Sequence, residues 1–390
     1  MSELHENGRF ILKTLNDASF EAYFVGGYVR DYLLGNPGND IDITTNARPD
    51  DIAGLFQKVI PTGRAFGTMT VLIDSIPYEI TTYRKETVYD NHRHPKEIRF
   101  ADTLIEDLKR RDFTINQLTM DKDGNVEDHF EGLKDLEEKQ IRTINDPNDR
   151  FYEDALRMLR AFRFVAKLGF TLEADTAKGI TNNKHLIRKI SIERVQEELF
   201  KLLDAPDNKE GLKAMVKTAF AEALYDMEAP VRTLAETCIP FTRDEALALL
   251  FMGKDLDSGP WKLSNDLKKS IKAIGDLHRE TKFQGFSPLH LYTYGKPVCE
   301  KANTLNRIAG DKDRSETIQH LDETLAVRSL KELALSGSEI RKTLPIKHPS
   351  QISWLLSTLL NDVLEGRIKN NHDDLKEAAL HYLKTNESEQ

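Results

Sequence analysis

The chain has 390 residues, 39% of them apolar and 31% charged, with a net charge of −9. That length allows two or three domains with a sizeable core. The acidic balance argues against a protein that coats nucleic acid non-specifically, which needs a broad cationic face, but it leaves room for a local basic groove. In chain order, a helix is expected over ENGRFILKTLNDAS, then a short apolar strand, AYFV, then Gly26-Gly27 and a helix over YVRDYLL closed by Gly35. DIDITT reads as a strand with period-two alternation, and DDIAGLFQKV as a helix announced by Pro49, Asp50 and Asp51. GTMTVLID and PYEITTYR are the two arms of an expected hairpin around Ser75 and Pro77. The polar segment from Lys85 to about Arg99 has no period and reads as a mobile loop. From about Asp149 helical periodicity dominates, broken at Pro206, Gly259-Pro260, Gly285, Pro288 and Pro345, and the terminal KTNESEQ is expected to fray.

Two cysteines, Cys238 and Cys299, stand far apart without histidine companions. They form neither a disulfide framework nor a metal cluster, which suits a reducing cytosol. The N-terminal MSELHENGRFILKTL lacks a signal-peptide core, and no apolar run approaches the roughly 18 residues of a membrane span. The expectation is a soluble cytoplasmic protein.

Three stretches carry chemistry. In GGYVRDYLLGNPGNDIDIT, a strand runs into Gly-Gly and then a helix, whose free N–H groups suit phosphate; Arg30 adds a fixed positive charge in the first turn. The spacing fits neither a dinucleotide fingerprint nor a P-loop. Asp40 and Asp42, two apart on the expected strand, would direct both carboxylates to one face, a donor set suited to Mg²⁺. Glu79 on the later strand offers a third carboxylate or a cross-strand salt bridge. In DLKRRDFTINQLTMD, Arg110 and Arg111 suit a triphosphate or sugar contact, since a guanidinium holds oxyanions in two directions.

The third stretch is YEDALRMLRAFRF, from Tyr152. Read as one helix, it sets Asp154, Arg157 and Arg160 on a broad common face, because positions three apart differ by about 60° in direction. Cytosine and adenine each present an exocyclic amine beside a ring-nitrogen acceptor. An Asp beside an Arg complements that edge and sets like against like for guanine and uracil. The bland reading is a Glu153–Arg157 ion pair on a solvated helix, worth a few tenths of a kcal/mol.

In one order along the chain, FVGGYVRDYLLG, DIDITT, GTMTVLID, RRDFTINQLTMD, RFYEDALRMLRAFRFVAKLGF and ERVQEELFKLL resemble the class II tRNA nucleotidyltransferases, the bacterial CCA-adding enzymes and their poly(A) polymerase relatives. The resemblance covers roughly residues 20 to 205 and is closest to the short type of Firmicutes. It implies an α+β polymerase-beta-like head, residues 1–145, followed by an all-α neck (146–205), body (206–310) and tail (311–390), the last two binding tRNA. It also implies catalytic Mg²⁺ on Asp40 and Asp42, and triphosphate contacts from Gly27, Arg30 and Arg111. Asp112 and Asn116 would contact the nucleotide sugar, and Asp154, Arg157, Arg160 and Arg163 would surround the nucleotide. A loop near Arg84, Arg93 and Arg99 would couple the change from C to A addition. The implied partners are the tRNA 3′ end and acceptor stem, CTP and ATP, with no membrane, and the oligomeric state is left open, a homodimer among the options. Gln117-Leu118-Thr119 departs from the small residues usual in the family there. Poly(A) polymerase and enzymes adding only CC or only A share these motifs, and a non-catalytic RNA-binding module is the reading from another class.

Overall fold

A computed structural model describes residues 3–36, 38, 40–86, 89–90, 94–95 and 98–388. Two compact units are present, Met1–Glu236 and Thr237–Gln390. In the first, α1 (Glu3–Asp17) lays Ile11, Leu12 and Leu15 into the core, and β1 (Ala22–Val25) leads through Gly26 into α2 (Gly27–Leu33). There follow β2 (Asp42–Thr45), α3 (Pro49–Leu55), β3 (Val59–Gly63), β4 (Thr68–Ile73) and β5 (Ile76–Thr82). The β4–β5 hairpin turns at Asp74 and Ser75, both at positive φ, the geometry that matches strand twist in a two-residue loop. The helix expected over DDIAGLFQKV stops at Leu55, because Val59 is taken up as the first residue of a strand paired with β4.

The segment expected as a loop instead contains short strands: β6 (Arg84–Glu86), β7 (Tyr89–Asp90), β8 (His94–Pro95) and β9 (Ile98–Phe100). β6 pairs antiparallel with β9, so the segment is a hairpin arm at its base; Arg93 lies outside the described residues. After α4 (Leu104–Lys109) comes a 3₁₀ turn, Thr114–Asn116, then β10 (Thr119–Met120), β11 (Val126–Glu127), α5 (Gly132–Glu137) and β12 (Gln140–Ile141). The main sheet has the order β11-β10-β1-β2-β5-β4-β3, with β2 and β5 parallel. Helices then take over: α6 (Pro147–Glu153) and α7 (Leu156–Leu168), the small strand β13 (Thr171–Leu172), α8 (Ala174–Asn183), α9 (Ile192–Leu203), α10 (Asn208–Lys217) and α11 (Glu228–Glu236).

The second unit contains helices and connecting loops, with no strand among its described residues. It comprises α12 (Arg243–Leu250), α13 (Asn265–Thr281), α14 (Pro288–Tyr294), α15 (Lys296–Ile308) and α16 (Ser315–Glu323), then α17 (Gly337–Thr343), α18 (Ser350–Leu364) and α19 (His372–Ser388). Leu277, Leu291, Cys299 and Ile318 form one apolar cluster, and Leu355, Leu359, Leu375 and Leu383 belong to another. No helix among the described residues is long and apolar enough to cross a membrane.

Candidate active site

The site begins where β1 ends. Gly26 has φ +74 and ψ −139, a conformation essentially restricted to glycine. A Cβ there would stand 3.3 Å from Asp42 Oδ2 and 3.4 Å from Arg111 Nη1, so the missing side chain lets the strand end approach both groups. Asp42 opens β2 and pairs in register with Val25 on one side and Glu79 on the other. Asp40 precedes the strand rather than lying on it, because pairing begins only at Asp42. Burial pushes the Asp42 carboxyl above its ordinary range. Arg111 opposes that, while Glu79 and Asp40 add to it. Glu79 and Asp40 thus add negative charge beside the Asp42 carboxylate. Among the described residues no three His, Cys, Asp or Glu side chains converge into a closed metal cage.

Arg111 and Arg110 are steered by a residue that sequence reasoning passed over. Asp107, fully buried on α4, accepts from Arg110 Nε at 2.9 Å and Arg111 Nη2 at 3.3 Å. It also accepts from Thr44 Oγ1 at 3.2 Å and the Arg84 N–H at 3.2 Å. Arg30 is buried, with Nε on Asp31 at 2.8 Å and Nη1 on Asn116 Oδ1 at 2.5 Å. Asn116 donates in turn to Asp112 at 3.0 Å, and Asp112 takes Arg160 through Nε at 2.8 Å and Nη2 at 2.5 Å. Burial raises the Asp112 carboxyl, but Arg160 and these hydrogen bonds outweigh it and hold the group well below the usual range. Gln117, the departure from the family pattern, is buried and donates to the Leu108 carbonyl at 2.7 Å.

The stretch expected as a single helix is broken. α6 ends at Glu153, Asp154 is extended (φ −142, ψ 102), and α7 starts at Leu156. Asp154 and Arg157 therefore do not share a helix face. Asp154 Oδ1 accepts the Leu156 N–H, whereas Oδ2 takes Arg194 from α9 at 3.1 Å. Arg157 is buried and donates to Glu153 at 2.8 Å and to the Arg150 and Arg110 carbonyls at 2.9 Å. The Glu153–Arg157 pair exists, but with a buried guanidinium rather than on a solvated face. Arg160 and Arg163 lie 3.7 and 3.3 Å from Glu198, a buried carboxylate on α9. Glu198 and Arg194 sit in ERVQEELFKLL, whose spacing of four residues was their only signal.

One cleft of about 840 Å³ collects these groups. Gly27, Arg30, Asp42 and Arg111 line it from the sheet side, and Asp154, Arg157, Arg160 and Arg163 from the helices. Ten basic side chains and four carboxylates border it in a chain of net charge −9, so the basic field is local. Asp40 and Glu79 are not among its lining residues.

Family models match along the chain: the poly A polymerase head domain over residues 22–142, the "probable RNA and SrmB-binding site of polymerase A" over 169–227, and tRNA nucleotidyltransferase domain 2 over 259–379. The CCA-adding enzyme of Lactobacillus johnsonii is 37% identical over 378 residues, 94% of this chain and 95% of its own. The chain belongs to the CCA-adding enzyme family. A CCA-adding enzyme of Streptococcus pyogenes is 35% identical over 93% of both chains. The Bacillus stearothermophilus CCA-adding enzyme, solved in complex with CTP, superposes over 100% of both chains with a TM-score of 0.84 and 30% identity. The protein is accordingly a nucleotidyltransferase, of a family that works with a divalent metal.

Proposed function

We propose that the protein is a template-independent CTP/ATP:tRNA nucleotidyltransferase that builds and repairs the 3′-terminal CCA of tRNA and releases pyrophosphate. The supporting observation is the single cleft lined by both Asp42 with Arg111 and Asp154 with Arg157, phosphate chemistry and base-edge chemistry in one cavity. On this reading Asp40 and Asp42 hold Mg²⁺. The donor set fits that ion, which takes one or two carboxylates and completes its shell with substrate phosphates and water. When bound, the metal supplies acidification of the attacking 3′-hydroxyl and neutralisation of the triphosphate.

The remaining work falls to the chain's own residues. Gly27, Arg30 and Arg111 hold the triphosphate with its α-phosphorus in line with the hydroxyl, positioning of the kind phosphoryl transfer needs. Asp154 accepts from the exocyclic amine of C or A, and Arg157 donates to the adjacent ring nitrogen. Guanine and uracil leave two buried polar groups unpaired, at about 1–3 kcal/mol each. Arg160 and Arg163 line the same wall. The chain divides into head (1–145), neck (146–205), body (206–310) and tail (311–390).

Incubation of tRNA lacking CCA with each labelled triphosphate and Mg²⁺ tests the proposal. CTP and ATP are incorporated, GTP and UTP are not, and addition stops after three residues. Unlimited A addition would identify a poly(A) polymerase, and no incorporation a binding module.

A further inference from the structure

Phe164 carries no charge, yet it stands where three cations meet. It lies on α7, is buried, and borders the cleft. Its ring centroid is 4.7 Å from the guanidinium carbon of Arg163, 5.1 Å from that of Arg30 and 5.6 Å from that of Arg160. Arg160 and Arg163 share its helix, whereas Arg30 comes from α2. Phe113, itself fully buried, meets the ring edge-on, with centroids 5.6 Å apart and planes at 82°. That contact fixes the plane of the ring.

Two of the three arginines are also held by hydrogen bonds, Arg30 by Asp31 and Asn116, and Arg160 by Asp112. Arg163 differs. Its buried Nε lies 3.3 Å from Glu198 Oε2, but the two are not aligned as a hydrogen bond, and neither atom has such a partner among the described residues. Burial, with Arg160 and Arg30 close by, pulls the Arg163 guanidinium below its ordinary pKa, while Glu198 and Asp112 oppose that. The charge is therefore poorly satisfied by the chain itself, and an anion in the cleft would relieve it. A ring suits such a site better than another carboxylate would. Its face attracts a guanidinium and leaves the in-plane N–H groups free, whereas a carboxylate would occupy them and repel phosphate.

We propose that Phe164 is a positioning residue whose ring holds Arg163 beside Arg30 and presents its N–H donors to the triphosphate. The inference rests on the proposed activity, which gives Arg30 to the triphosphate. By sharing a ring with Arg30, Arg163 belongs to the phosphate end of the cleft and not to the base-reading pair, Asp154 and Arg157.

Calorimetric titration of the full chain with CTP, pyrophosphate or cytidine, with Mg²⁺ present, tests it. Phe164→Leu keeps apolar bulk and removes the aromatic face. It should raise Kd for CTP and pyrophosphate about tenfold and leave cytidine binding unchanged. Phe164→Tyr should retain both affinities. Mono-, di- and trifluorinated phenylalanines at position 164 keep the shape of the ring while draining its face of negative charge. Kd for pyrophosphate should climb stepwise across that series, a readout that survives even if Phe164→Leu does not fold. Arg163→Ala should cost as much as Phe164→Leu, and the double variant little more, since the two act as one unit. In turnover, KM rises equally for CTP and ATP, while KM for tRNA and the preference for C and A over G and U are held. A flat fluorine series overturns the proposal. So does cytidine binding weakened as much as CTP binding, which would place the ring at the base. Wild-type protein that binds CTP and pyrophosphate without extending tRNA sinks the proposed activity and leaves the binding series to judge the ring.

Discussion

Arg194 donates to Asp154 Oδ2 at 3.1 Å, tying the joint between α6 and α7 to α9. With the Leu156 N–H on the other oxygen, the carboxylate is aimed from two sides. Arg194→Ala frees it to turn. A hydrogen bond to a charged group is worth about 1.5–3 kcal/mol, so discrimination against GTP and UTP should fall roughly tenfold or more. Asp154→Ala should lose at least as much, and Arg194→Lys should recover part. Competition between labelled triphosphates reads the effect, and unchanged selectivity in Asp154→Ala would remove its role in base choice.

Asp42→Asn keeps the shape of the β2 end and deletes its charge. Metal-ion stabilisation of a transferring phosphoryl group is worth several kcal/mol, so addition should drop about 10³-fold or more. Filter binding should still detect CTP. Loss of nucleotide binding along with turnover would mean that Asp42 is a binding group only.

The Asp112–Arg160 pair predicts a pH dependence of stability. The folded carboxyl is held below its unfolded value, so it binds a proton less readily folded than unfolded. Its stabilisation is therefore present above the ordinary carboxylate range near pH 4 and is lost as pH falls below it. Asp112→Ala removes the nearer carboxylate from a half-buried Arg160, leaving it Glu198 at 3.7 Å, and should destabilise by about 2 kcal/mol at pH 7. Urea unfolding from pH 3 to 7 checks both points; a gap between the two proteins that stays constant down to pH 3 would contradict them.

Gly26→Ala puts a methyl group at a glycine-only backbone angle and against Asp42 Oδ2. Strain of about 1–3 kcal/mol is expected, seen as a lower melting temperature together with slower addition. Normal turnover in a folded Gly26→Ala protein would show that the close approach does not matter.

Legibility in the sequence tracked the range of the forces involved. AYFV, the glycine turn, YVRDYLL and the β4–β5 hairpin are local patterns, and they fold as read. Pro206, Gly259-Pro260, Gly285 and Pro345 likewise fall between helices, whereas Pro288 is the first residue of α14. The break at Asp154 carried no proline or glycine, and the Arg194 contact that accompanies it lies 40 residues away in the chain. Asp107 and Glu198 looked like ordinary charged helix positions. Only the fold reveals them as buried carboxylates that collect arginines. The β6–β9 pairing was hidden for the same reason, since its strands are three residues each and the Arg84 N–H is anchored on Asp107.

The joint between α6 and α7 has a consequence for chain length. Each residue of an α-helix turns its neighbours by about 100° and advances them about 1.5 Å. Deleting Ala155 would thus swing Arg157, Arg160 and Arg163 together off the cleft, or pull Asp154 away from Arg194. Substitutions in this segment change one contact at a time; a change in its length changes the register of the whole wall. The two residues between the helices, Asp154 and the buried Ala155, act as a spacer of fixed length, and the segment should accept no insertion or deletion.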